Sequence, residues 1–489
     1  MSIRRLFSLL FLLALFTMSV RELADPDLWW HLRTGEWVWE QGIPQTDPFS
    51  FTKLGQPWVA HEWLSDALMW GIYQLGGLIG LSLAFAGIIA ATFWLLARAC
   101  VGQPYLAAFV ALLAAVTSAP TWEARPQMFN TLFLALFVYL IERYRVGTLK
   151  LRTLLWLVPL TALWANLHSG YLLGVVVLGG YAVGETLQHL IRQRWPQAPF
   201  MPGLNQWADI RWLWLLTGGS FLAAALNPNG VRLWIYPFET LRSPAMQQYI
   251  VEWQSPDFHL WDFRIFGLML GVGVLAWVWS GTRPHLAELI LLGGGAAAGL
   301  LSARNIPLFA IVATPIITRH LLAAFQGHSA YPILAGTAPE PTVSRFLQRM
   351  NWLILFLAIL AASVWVGRRL GNIQPLIDQL YPVAAVDYLE ANGLADQPIF
   401  NDYSFGGYLI WRGIPVFADG RADVYGDEFL FYYLQTYAAR PTWQEPLEDW
   451  DIEVVLMSRG STLTTLLTAS PDWEQVYEDE VAQIFVKAD

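Results

Sequence analysis

Apolar runs of about 17 to 25 residues recur along the sequence, and this is the length of an α-helix that crosses the hydrocarbon core of a bilayer. In lipid, a helix satisfies its own backbone hydrogen bonds, which few other structures can do. The 489 residues are 55% hydrophobic and only 14% charged, in agreement with many such helices. We therefore predict a polytopic α-helical membrane protein with about 11 spans. The predicted span centres are Leu13, Ile88, Leu112, Leu134, Leu157, Val177, Leu216, Leu270, Leu292, Val312 and Leu357.

The amino-terminal segment resembles a signal peptide, with Arg4 and Arg5 ahead of the apolar run from Leu6 to Val20. It lacks a small-x-small cleavage site, so we interpret it as an uncleaved first helix. Lys and Arg near the span ends are modestly more frequent on the side of the amino terminus, which predicts a cytoplasmic amino terminus. Acidic residues gather in the loops of the other, outer side.

Three broad features exclude other classes of protein. The net charge of -9 argues against a nucleic-acid partner, because phosphate binding needs basic stripes. Cys100 is the only cysteine, so the chain has neither an internal disulfide nor a cysteine-based metal cluster. The absence of a phosphate-binding loop or a Rossmann fingerprint makes a nucleotide-sugar donor less favoured.

The sequence changes character at about Gly371. Short helical patterns then alternate with β-type runs such as "QPIF", "IPVFAD", "IEVVLMS" and "AQIFVK". This pattern predicts a soluble α/β domain over 371-489, after a transmembrane domain over 1-370. With an odd number of spans, the α/β domain lies outside the cell membrane.

The first outer loop, 23-63, begins with "ADPDLWWHLRTGEW". Asp25 is suited to the N-cap of a helix and Pro26 to its first turn. Asp27 and His31 are then four residues apart and share a face. A capped helix at the membrane interface is one interpretation of this segment. The other is that the two carboxylates act as a base or as metal ligands at the membrane surface.

A second polar group in the same loop lies in "VAHEWLSDALMW". His61, Glu62 and Asp66 are placed at the start of the next helix, with Glu62 and Asp66 on one face. Ionisable groups at this depth are costly unless they face water or each other. An ordinary polar helix entry and a functional group both remain open.

Other polar residues fall at the outer ends of predicted spans. Singly, each is expected to be a helix cap or an interhelical hydrogen bond rather than a ligand. Together they indicate a walled cavity on one face, whereas the spans themselves are almost free of charge. The residues are Glu123, Arg125, Asn166, His168, Asn227, Asn229, Arg304 and Asn305.

This organisation resembles the GT-C class of membrane glycosyltransferases. The shared features are a cytoplasmic first helix, an acidic motif in the first outer loop, many spans and an outer carboxy-terminal α/β domain. The chain is also similar to bacterial membrane proteins that carry "DPDLWWHL" and "DPFSFT…GQPWVAHEWL". The resemblance implies a multi-pass protein of the bacterial cytoplasmic membrane. It further implies transfer of a sugar from a polyprenyl phosphate or diphosphate to an acceptor on the outer face.

The resemblance also implies candidate site residues. Asp25 or Asp27 would be the acidic catalytic residue of the first outer loop, and the pair could supply oxygen ligands to Mg²⁺ or Mn²⁺. The stretch "NDYSFGGYLIWRGIPVFADGR" is similar to the tryptophan-rich motif region of oligosaccharyltransferase catalytic subunits, but it lacks the tandem tryptophans. Recognition of an asparagine sequon is therefore not predicted. The residues at issue in this stretch are Asp402, Tyr403, Asp419 and Arg421.

These residues support a mechanistic hypothesis. Because phosphate leaves readily, the reaction needs a base beside the acceptor hydroxyl and cations beside the leaving group. Asp27, or else Asp25, would be the base, aided by His31 or Glu62. Arg125 and Arg304 would hold the phosphate in a bidentate fork, and the anomeric centre would invert. The remaining predicted substrate-binding residues are His61, His168 and Asn305.

Other functional classes also fit parts of the pattern. A transporter or flippase would have polar groups among its spans, but usually with charge near the midplane of two matching halves. A non-enzymatic assembly protein would use the aromatic loops for packing alone. Convergence of the outer acidic motifs on one cavity would favour an enzyme over a packing role. The acceptor, whether glycan, lipid or protein, leaves no trace in the sequence.

Overall fold

A computed structural model describes residues 1–100, 104–197, 203–204, 206–339 and 343–488. Before the carboxy-terminal segment, the described part of the chain is helical. Its α-helices are α1 (Ile3–Ser19), α2 (Leu28–Gln41), α3 (Trp63–Ala99), α4 (Pro104–Ser118), α5 (Gln127–Arg145), α6 (Leu151–Leu154), α7 (Leu157–Leu167), α8 (Tyr171–Arg194), α9 (Trp207–Ala223), α10 (Tyr236–Arg242), α11 (Pro244–Tyr249), α12 (Trp261–Trp279), α13 (Leu286–Leu301), α14 (Ile306–Ala324), α15 (Tyr331–Leu334) and α16 (Arg345–Gly371). Short 3₁₀ helices cover Ala119–Thr121, Gly230–Trp234, Val251–Trp253 and Ala303–Asn305.

Each of the eleven predicted span centres lies in an α-helix. Within the described ranges, six helical runs are long and apolar enough to cross a membrane, so the chain is a multi-pass membrane protein. The count of about 11 spans stays a prediction, because several helices that carry predicted centres are shorter or less apolar. The six runs are Trp63–Ala99, Pro104–Thr121, Tyr171–Arg194, Trp261–Trp279, Ala303–Ala324 and Arg345–Leu380.

Helix α3 shows how one long run serves two purposes. At 37 residues it is much longer than one bilayer crossing requires. Gly77 interrupts it with a φ of 58° and a ψ of -153°, a backbone conformation that side chains rarely allow. The polar "HEWLSD" segment leads into the first part, and the second part contains the predicted span centre Ile88. The break therefore separates a loop-proximal helix from the span.

The carboxy-terminal segment forms a small mixed sheet with helices around it. Its strands are β1 (Ile399–Asn401), β2 (Val454–Ser458), β3 (Trp473–Glu478) and β4 (Ala482–Lys487), in the order β1-β2-β4-β3. Strands β1 and β2 are parallel, with Phe400 opposite Val455, whereas β4 is antiparallel to both β2 and β3. The helices are α17 (Ile373–Leu380), α18 (Val383–Ala391), α19 (Gly406–Trp411), α20 (Ala422–Tyr437), α21 (Glu445–Asp449) and α22 (Thr462–Ala469).

Three of the four predicted β-type runs contain strands, and "IPVFAD" is the exception. Val416, in the middle of that run, forms an isolated parallel bridge with Ser50 of the first loop. The prediction of a strand there is wrong, because the apolar residues are buried between the sheet and the loop rather than inside a sheet. Strand β3, with half-exposed polar residues, was not predicted. The domain division at 370/371 stays a prediction, and Asp489 lies outside the described residues.

The carboxy-terminal domain packs directly on the first loop. Trp29 of α2 makes edge contacts with Tyr381 and Tyr408, with ring centroids 5.4 and 5.2 Å away. The buried Arg421 guanidinium contacts Asp47 of the loop at 2.6 Å and lies over the rings of Phe49 and Trp58. The domain thus covers one end of the helical bundle. We call that end the domain side and the opposite end the far side.

Candidate active site

Helix α2 begins at Leu28, two residues later than predicted, with Asp27 at its N-cap position. Asp25 does not cap it as predicted. Its Oδ1 accepts a hydrogen bond from the backbone N–H of Asp27 at 2.9 Å, which fixes the turn that precedes the helix. The Asp27 side chain makes no capping bond to the described residues of α2. Its carboxylate is therefore available to the neighbouring cavity.

Arg125 links the two aspartates. Its Nε lies 3.0 Å from Asp25 Oδ2, and its Nη2 donates to Asp27. Glu123 and Glu252 approach the remaining terminal nitrogen at 3.4 and 4.0 Å. One guanidinium thus faces four carboxylates, which orient it towards Asp27. Arg125 was predicted to hold a phosphate, but in this structure its donors are directed at carboxylates.

The pKa of Asp27 is raised to about 6. Burial is the main cause, because it disfavours the charged form; Arg125 lowers this pKa and Asp25 raises it further. Burial also raises the pKa of Asp25 well above its usual range, against the opposing effect of Arg125. A carboxylate with a pKa of about 6 is a stronger base than ordinary aspartate and is still ionised at neutral pH.

A second group of charges lies beside the aspartates, centred on Glu62. Its Oε1 is 3.0 Å from His168 Nε2 and 3.3 Å from His61 Nε2. His168 Nδ1 accepts from the backbone N–H of Gly170 at 2.7 Å, so its Nε2 carries the proton that faces Glu62. Burial would raise the pKa of Glu62, but the two histidines lower it well below its usual range. Glu62 is therefore an anion.

His31 and Asp66 complete this group, with His31 Nδ1 2.7 Å from Asp66 Oδ1 and 3.8 Å from Glu62 Oε2. Burial lowers the pKa of His31 to about 3, so this imidazole is neutral. Donor atoms of His31, Glu62 and Asp66 all lie within 4.8 Å of one another. One imidazole and two carboxylates match the ligand chemistry of Zn²⁺ or Mn²⁺. The predicted pair of Asp25 and Asp27 fits a cation less well, because Arg125 contacts both.

Except for Asp66, which is not among the described lining residues, the side chains of these two groups line one cavity of 320 Å³, which we call the acidic pocket. Its wall includes predicted residues from both parts of the first loop and from the other domain-side helix ends. The predicted residues in the wall are Asp25, Asp27, His31, His61, Glu62, Glu123, Arg125, His168, Arg304, Tyr403 and Arg421. Asn305 is not among the described residues of this wall. Convergence of the predicted residues favours a functional site over separate packing roles.

A larger cavity of 1010 Å³ adjoins the acidic pocket, and we call it the apolar groove. The described walls of the two cavities share seven residues, among them His168, Glu252, Trp253 and Arg304. Asn305 lines the groove and donates to the backbone oxygen of Ala298 at 3.3 Å. Much of the remaining wall is apolar and includes Leu134, Leu172, Leu173, Val176, Leu301, Leu308 and Ile311. A polar pocket that opens into an apolar groove suits an amphipathic ligand.

Arg304 lies at the junction of the two cavities. Its Nη1 is 3.6 Å from Glu252, and its guanidinium lies 5.1 Å from the ring centre of Trp253. The Arg304 side chain is 32% exposed, compared with 20% for Arg125 and 1% for Arg421. Among the three arginines of the acidic pocket, Arg304 is therefore the one best able to meet an incoming anion.

The residues predicted in the carboxy-terminal domain divide into two groups. Tyr403 and Arg421 line the acidic pocket, although Arg421 is buried against Asp47 and Asp419. Neither Asp402 nor Asp419 is among the described residues that line it. Asp402 accepts hydrogen bonds from Ser404 and Ser458, at 2.8 and 2.6 Å from their hydroxyl oxygens. Asp419 accepts hydrogen bonds from Arg421 and Tyr425. Both aspartates are thus bonded to neighbours within the carboxy-terminal domain, and their role in the site stays a prediction.

Three ionisable side chains in the described wall of the pocket were not predicted: Glu252, Asp423 and Tyr236. The Tyr236 hydroxyl donates to Asp423 Oδ2 at 3.0 Å, and this bond joins α10 to α20 across the pocket. Asp423 follows the predicted Arg421 by two residues, and this was a usable signal. Glu252 and Tyr236 lie in a connecting segment with no motif. Their position depends on how the domain packs on the bundle.

The polar residues at other helix ends have the packing role that was the alternative interpretation. Asn227 Nδ2 donates to the backbone oxygen of Ala165 at 2.8 Å. Asn166 Nδ2 donates to the backbone oxygen of Leu226 at 2.9 Å, and its Oδ1 accepts from Trp63 Nε1. Asn229 donates to Asn227 Oδ1. These bonds tie the loops that support His168.

No family model matches the sequence, and no curated protein matches it either. Solved structures do match. The archaeal oligosaccharyltransferase AglB from Archaeoglobus fulgidus, in complex with an inhibitory peptide and a dolichol-phosphate, superposes with a TM-score of 0.58 and 12% identity. That alignment covers 93% of this chain and 69% of AglB.

Two further structures give the same result. ArnT from Cupriavidus metallidurans, bound to undecaprenyl phosphate, has a TM-score of 0.54 and 15% identity, with 98% of this chain and 97% of ArnT covered. The mycobacterial arabinofuranosyltransferase AftD has a TM-score of 0.51 and 13% identity, with 99% of this chain and 40% of AftD covered. The expected GT-C-like architecture is confirmed at the level of the fold.

Proposed function

We propose that this protein is a membrane glycosyltransferase that moves a sugar from a polyprenyl phosphate or diphosphate to an acceptor hydroxyl. The observation that carries the proposal is the junction of the acidic pocket and the apolar groove on a GT-C-like fold. The groove would take the isoprenoid chain, and the pocket would take the sugar and the acceptor.

Asp27 is the proposed base. With a pKa of about 6 it is ionised at neutral pH and basic enough to accept a proton from the acceptor hydroxyl as that oxygen attacks. Arg125 would hold the Asp27 carboxylate in place, as it does through its contacts with both aspartates. Asp25 would fix the turn before α2 rather than act as the base.

The bond changes follow from this geometry. The acceptor oxygen would form a bond to the anomeric carbon while the bond from that carbon to the phosphate oxygen breaks. The electron pair leaves with the phosphate, which Arg304 would stabilise at the cavity junction. The acceptor proton would pass to Asp27. Attack opposite the leaving group would invert the anomeric centre, and no general acid is needed because phosphate is a good leaving group.

A divalent cation remains a separate proposal. His31, Glu62 and Asp66 would hold it beside the acidic pocket, which His31 and Glu62 line, and it would add positive charge near the donor phosphate. The site would favour Zn²⁺ or Mn²⁺ over Mg²⁺ because it contains an imidazole nitrogen. The steps above use Arg304 and Asp27 alone and do not depend on it.

We also propose the sidedness of the protein. The domain side would face away from the cytoplasm of a bacterium, with the protein in the cytoplasmic membrane and the amino terminus inside. The acidic pocket would then act on the outer leaflet, where a lipid-linked sugar presents its head group. The acceptor could be a glycan, a lipid or a protein, and the pocket does not favour one of them.

Turnover with defined donors tests the function. Purified wild type and Asp27→Asn would be incubated with a panel of polyprenyl-phosphate sugars, and release of the carrier phosphate would be followed. We expect release by wild type and a loss of at least about 100-fold in Asp27→Asn. Asp378→Asn, on α17 outside the pocket, is the matched control. Equal release by Asp27→Asn would contradict the assignment, and no release by folded wild type would contradict the function.

A further inference from the structure

A set of buried charges on the far side has no place in this chemistry. It comprises Glu142 and Arg145 of α5, Glu185 of α8, His285 and Glu288 at the start of α13, and Arg319 and His320 of α14; we call it the far-side ring. The side chains of the three glutamates are only 1–2% exposed.

The contacts close into a ring of four helices. Arg145 Nε donates to Glu185 Oε1 at 2.7 Å, which joins α5 to α8. His285 Nε2 lies 3.1 Å from Glu185 Oε2, which joins α8 to α13. Arg319 donates to both Glu288 and Glu142, so α14 is joined to α13 and back to α5.

Each carboxylate in the ring has partners for both oxygens. Glu142 Oε1 also accepts from the Tyr181 hydroxyl at 2.8 Å. Glu288 Oε2 contacts His320 Nε2 at 3.1 Å and the backbone N–H of His285 at 3.0 Å. Buried charges of this kind persist only when they are fully paired, so the ring imposes one arrangement on the four helix ends.

The same four helices form the wall of the apolar groove at the other end of the bundle. Helix α5 contributes Leu134, α8 contributes Val176, α13 contributes Leu301 and α14 contributes Ile311. At the level of the ring, α8 and α13 touch backbone to backbone: a Cβ on Gly184 would lie 2.3 Å from Ala287 Cα. Towards the domain side, both helices contribute residues to the groove wall. The same two helices therefore touch at the ring and line the groove at their other ends.

Helix α14 contains a candidate pivot between these two levels. Pro315 lies inside the helix, between the groove residue Ile311 and the ring residue Arg319. Proline has no N–H to donate to the backbone oxygen four residues earlier, and this weakens the helix locally. The direction of the groove part of α14 therefore depends on the contacts that hold the helix on either side of Pro315, and Arg319 makes such contacts in the ring.

We infer that the far-side ring sets the width of the apolar groove and so positions the lipid carrier, with Arg319 and Glu142 as positioning residues. The part of this inference that concerns the carrier rests on the proposed function, whereas the part that concerns the groove does not. A helix rises about 1.5 Å per residue, so 13 residues span about 20 Å. If the helix axis tilts by about 10° at the ring, a groove residue 13 positions away moves by about 3 Å.

The width of the groove can be measured directly with spin labels. Val176→Cys and Leu301→Cys would be labelled in a Cys100→Ser background, and the distance between the labels measured by pulsed electron resonance. We expect Arg319→Met to shift or broaden this distance by about 3 Å. The matched control is Arg369→Met, which removes the ion pair with Glu22 between α16 and the end of α1, away from the groove.

Carrier binding gives the second readout. In Arg319→Met, we expect the Kd for undecaprenyl phosphate and the KM of the donor to rise about tenfold, with kcat within about threefold of wild type. Arg319→Lys keeps the charge but not the planar fork, so it should recover part of the loss. If Arg319→Met does not fold, it can be combined with Glu142→Gln and Glu288→Gln. This triple variant opens the ring but leaves neither glutamate as an unpaired buried charge.

The two possible failures are distinguishable. If wild type does not bind undecaprenyl phosphate, the proposed function fails, but the label distances still test whether the ring controls the groove. If a folded Arg319→Met retains both the wild-type label distance and the wild-type Kd, the ring is only a structural tie and the inference is overturned. A similar change in Arg369→Met would also overturn it, because the effect would then not be specific to the ring.

Discussion

At the scale of single residues, the chemistry of the site depends on one carboxylate and one guanidinium. Asp27 is placed by the turn before α2, and its pKa is raised to about 6 chiefly by burial. Arg125 opposes that increase because its positive charge favours the ionised aspartate. The proton affinity of the base is therefore set by two neighbouring features, burial and Arg125, that can be varied separately.

The pH dependence of kcat/KM follows from this balance. The active form of Asp27 is ionised, so kcat/KM should rise with pH and reach half its maximum near pH 6. In Arg125→Met the opposing charge is lost, the pKa of Asp27 increases further, and the midpoint should move to higher pH. A pH profile of donor turnover measures both. A midpoint that stays near the wild-type value in folded Arg125→Met would contradict the role of Arg125.

Arg304 is expected to act on the donor rather than on the base. Arg304→Met removes the exposed guanidinium at the cavity junction and should weaken donor binding by about 10-fold to 100-fold, the range for one hydrogen-bonded charge. The pH midpoint should not change. Steady-state kinetics with a polyprenyl-phosphate sugar, compared with the control Arg264→Met on α12, measure this effect. An unchanged KM and kcat in Arg304→Met would exclude a phosphate-binding role.

Several site residues could be predicted because each lies beside a recognisable helix end. Asp27, Glu62, Arg125, His168 and Arg304 all follow or precede apolar runs on the domain side. Glu252 and Tyr236 could not be predicted, because the packing of distant segments brings them to the pocket. Asp402 shows the limit of a motif: its aromatic-acidic context is similar to one, but in the structure its oxygens accept hydrogen bonds from Ser404 and Ser458.

At the scale of elements, the site depends on close packing of the carboxy-terminal domain against α2. A Cβ on Gly420 would lie 1.8 Å from Asp27 Oδ1 and 3.3 Å from Trp30 Nε1. On Gly407, a Cβ would lie 2.4 Å from the backbone oxygen of Pro26. These two glycines let helix α19 and the turn before α20 approach the segment that carries the base.

Gly420→Ala should therefore displace Asp27 from Arg125 and lower turnover by at least about tenfold, because a misplacement of about 1 Å is costly in a preorganised site. Gly367→Ala, where an added Cβ meets no neighbour within 4 Å, is the control. Turnover and thermal unfolding would be measured for both variants. Full activity in Gly420→Ala would show that this contact does not position the base.

The elements themselves were predictable where local pattern determines them. The apolar runs predicted the helices, and strands β2 and β4 coincide with runs of β-branched and aromatic residues. The run "IPVFAD" has the same composition but pairs with the first loop through Val416 and Ser50. Its partner is more than 360 residues away in sequence, so no local pattern distinguishes the two outcomes.

At the scale of the whole molecule, the two ends of the helical bundle hold different structures. The domain side holds the acidic pocket and the mouth of the groove, and the far side holds the ring that ties α5, α8, α13 and α14 together. The sequence did not predict the ring, because its members lie on four helices and each one alone resembles a charge at a helix end. Their pairing becomes visible only when the helices are assembled.

The proposed orientation in the membrane is open to a labelling test. In a Cys100→Ser background, Glu480→Cys places a thiol on the exposed surface of the carboxy-terminal domain, and Arg194→Cys places one at the far-side end of α8. A membrane-impermeant maleimide should label Glu480→Cys from outside the cytoplasmic membrane, and Arg194→Cys only after that membrane is permeabilised. The reverse pattern would show that the domain faces the cytoplasm.

The central claim is that the acidic pocket and the apolar groove together bind one lipid-linked donor. Determining the structure of the protein with bound undecaprenyl phosphate tests this most directly. We predict that the phosphate lies beside Arg304, within reach of the pocket that holds Asp27, with the isoprenoid chain in the groove between α8 and α13. A phosphate bound away from Arg304, or a chain that leaves the groove empty, would contradict the claim.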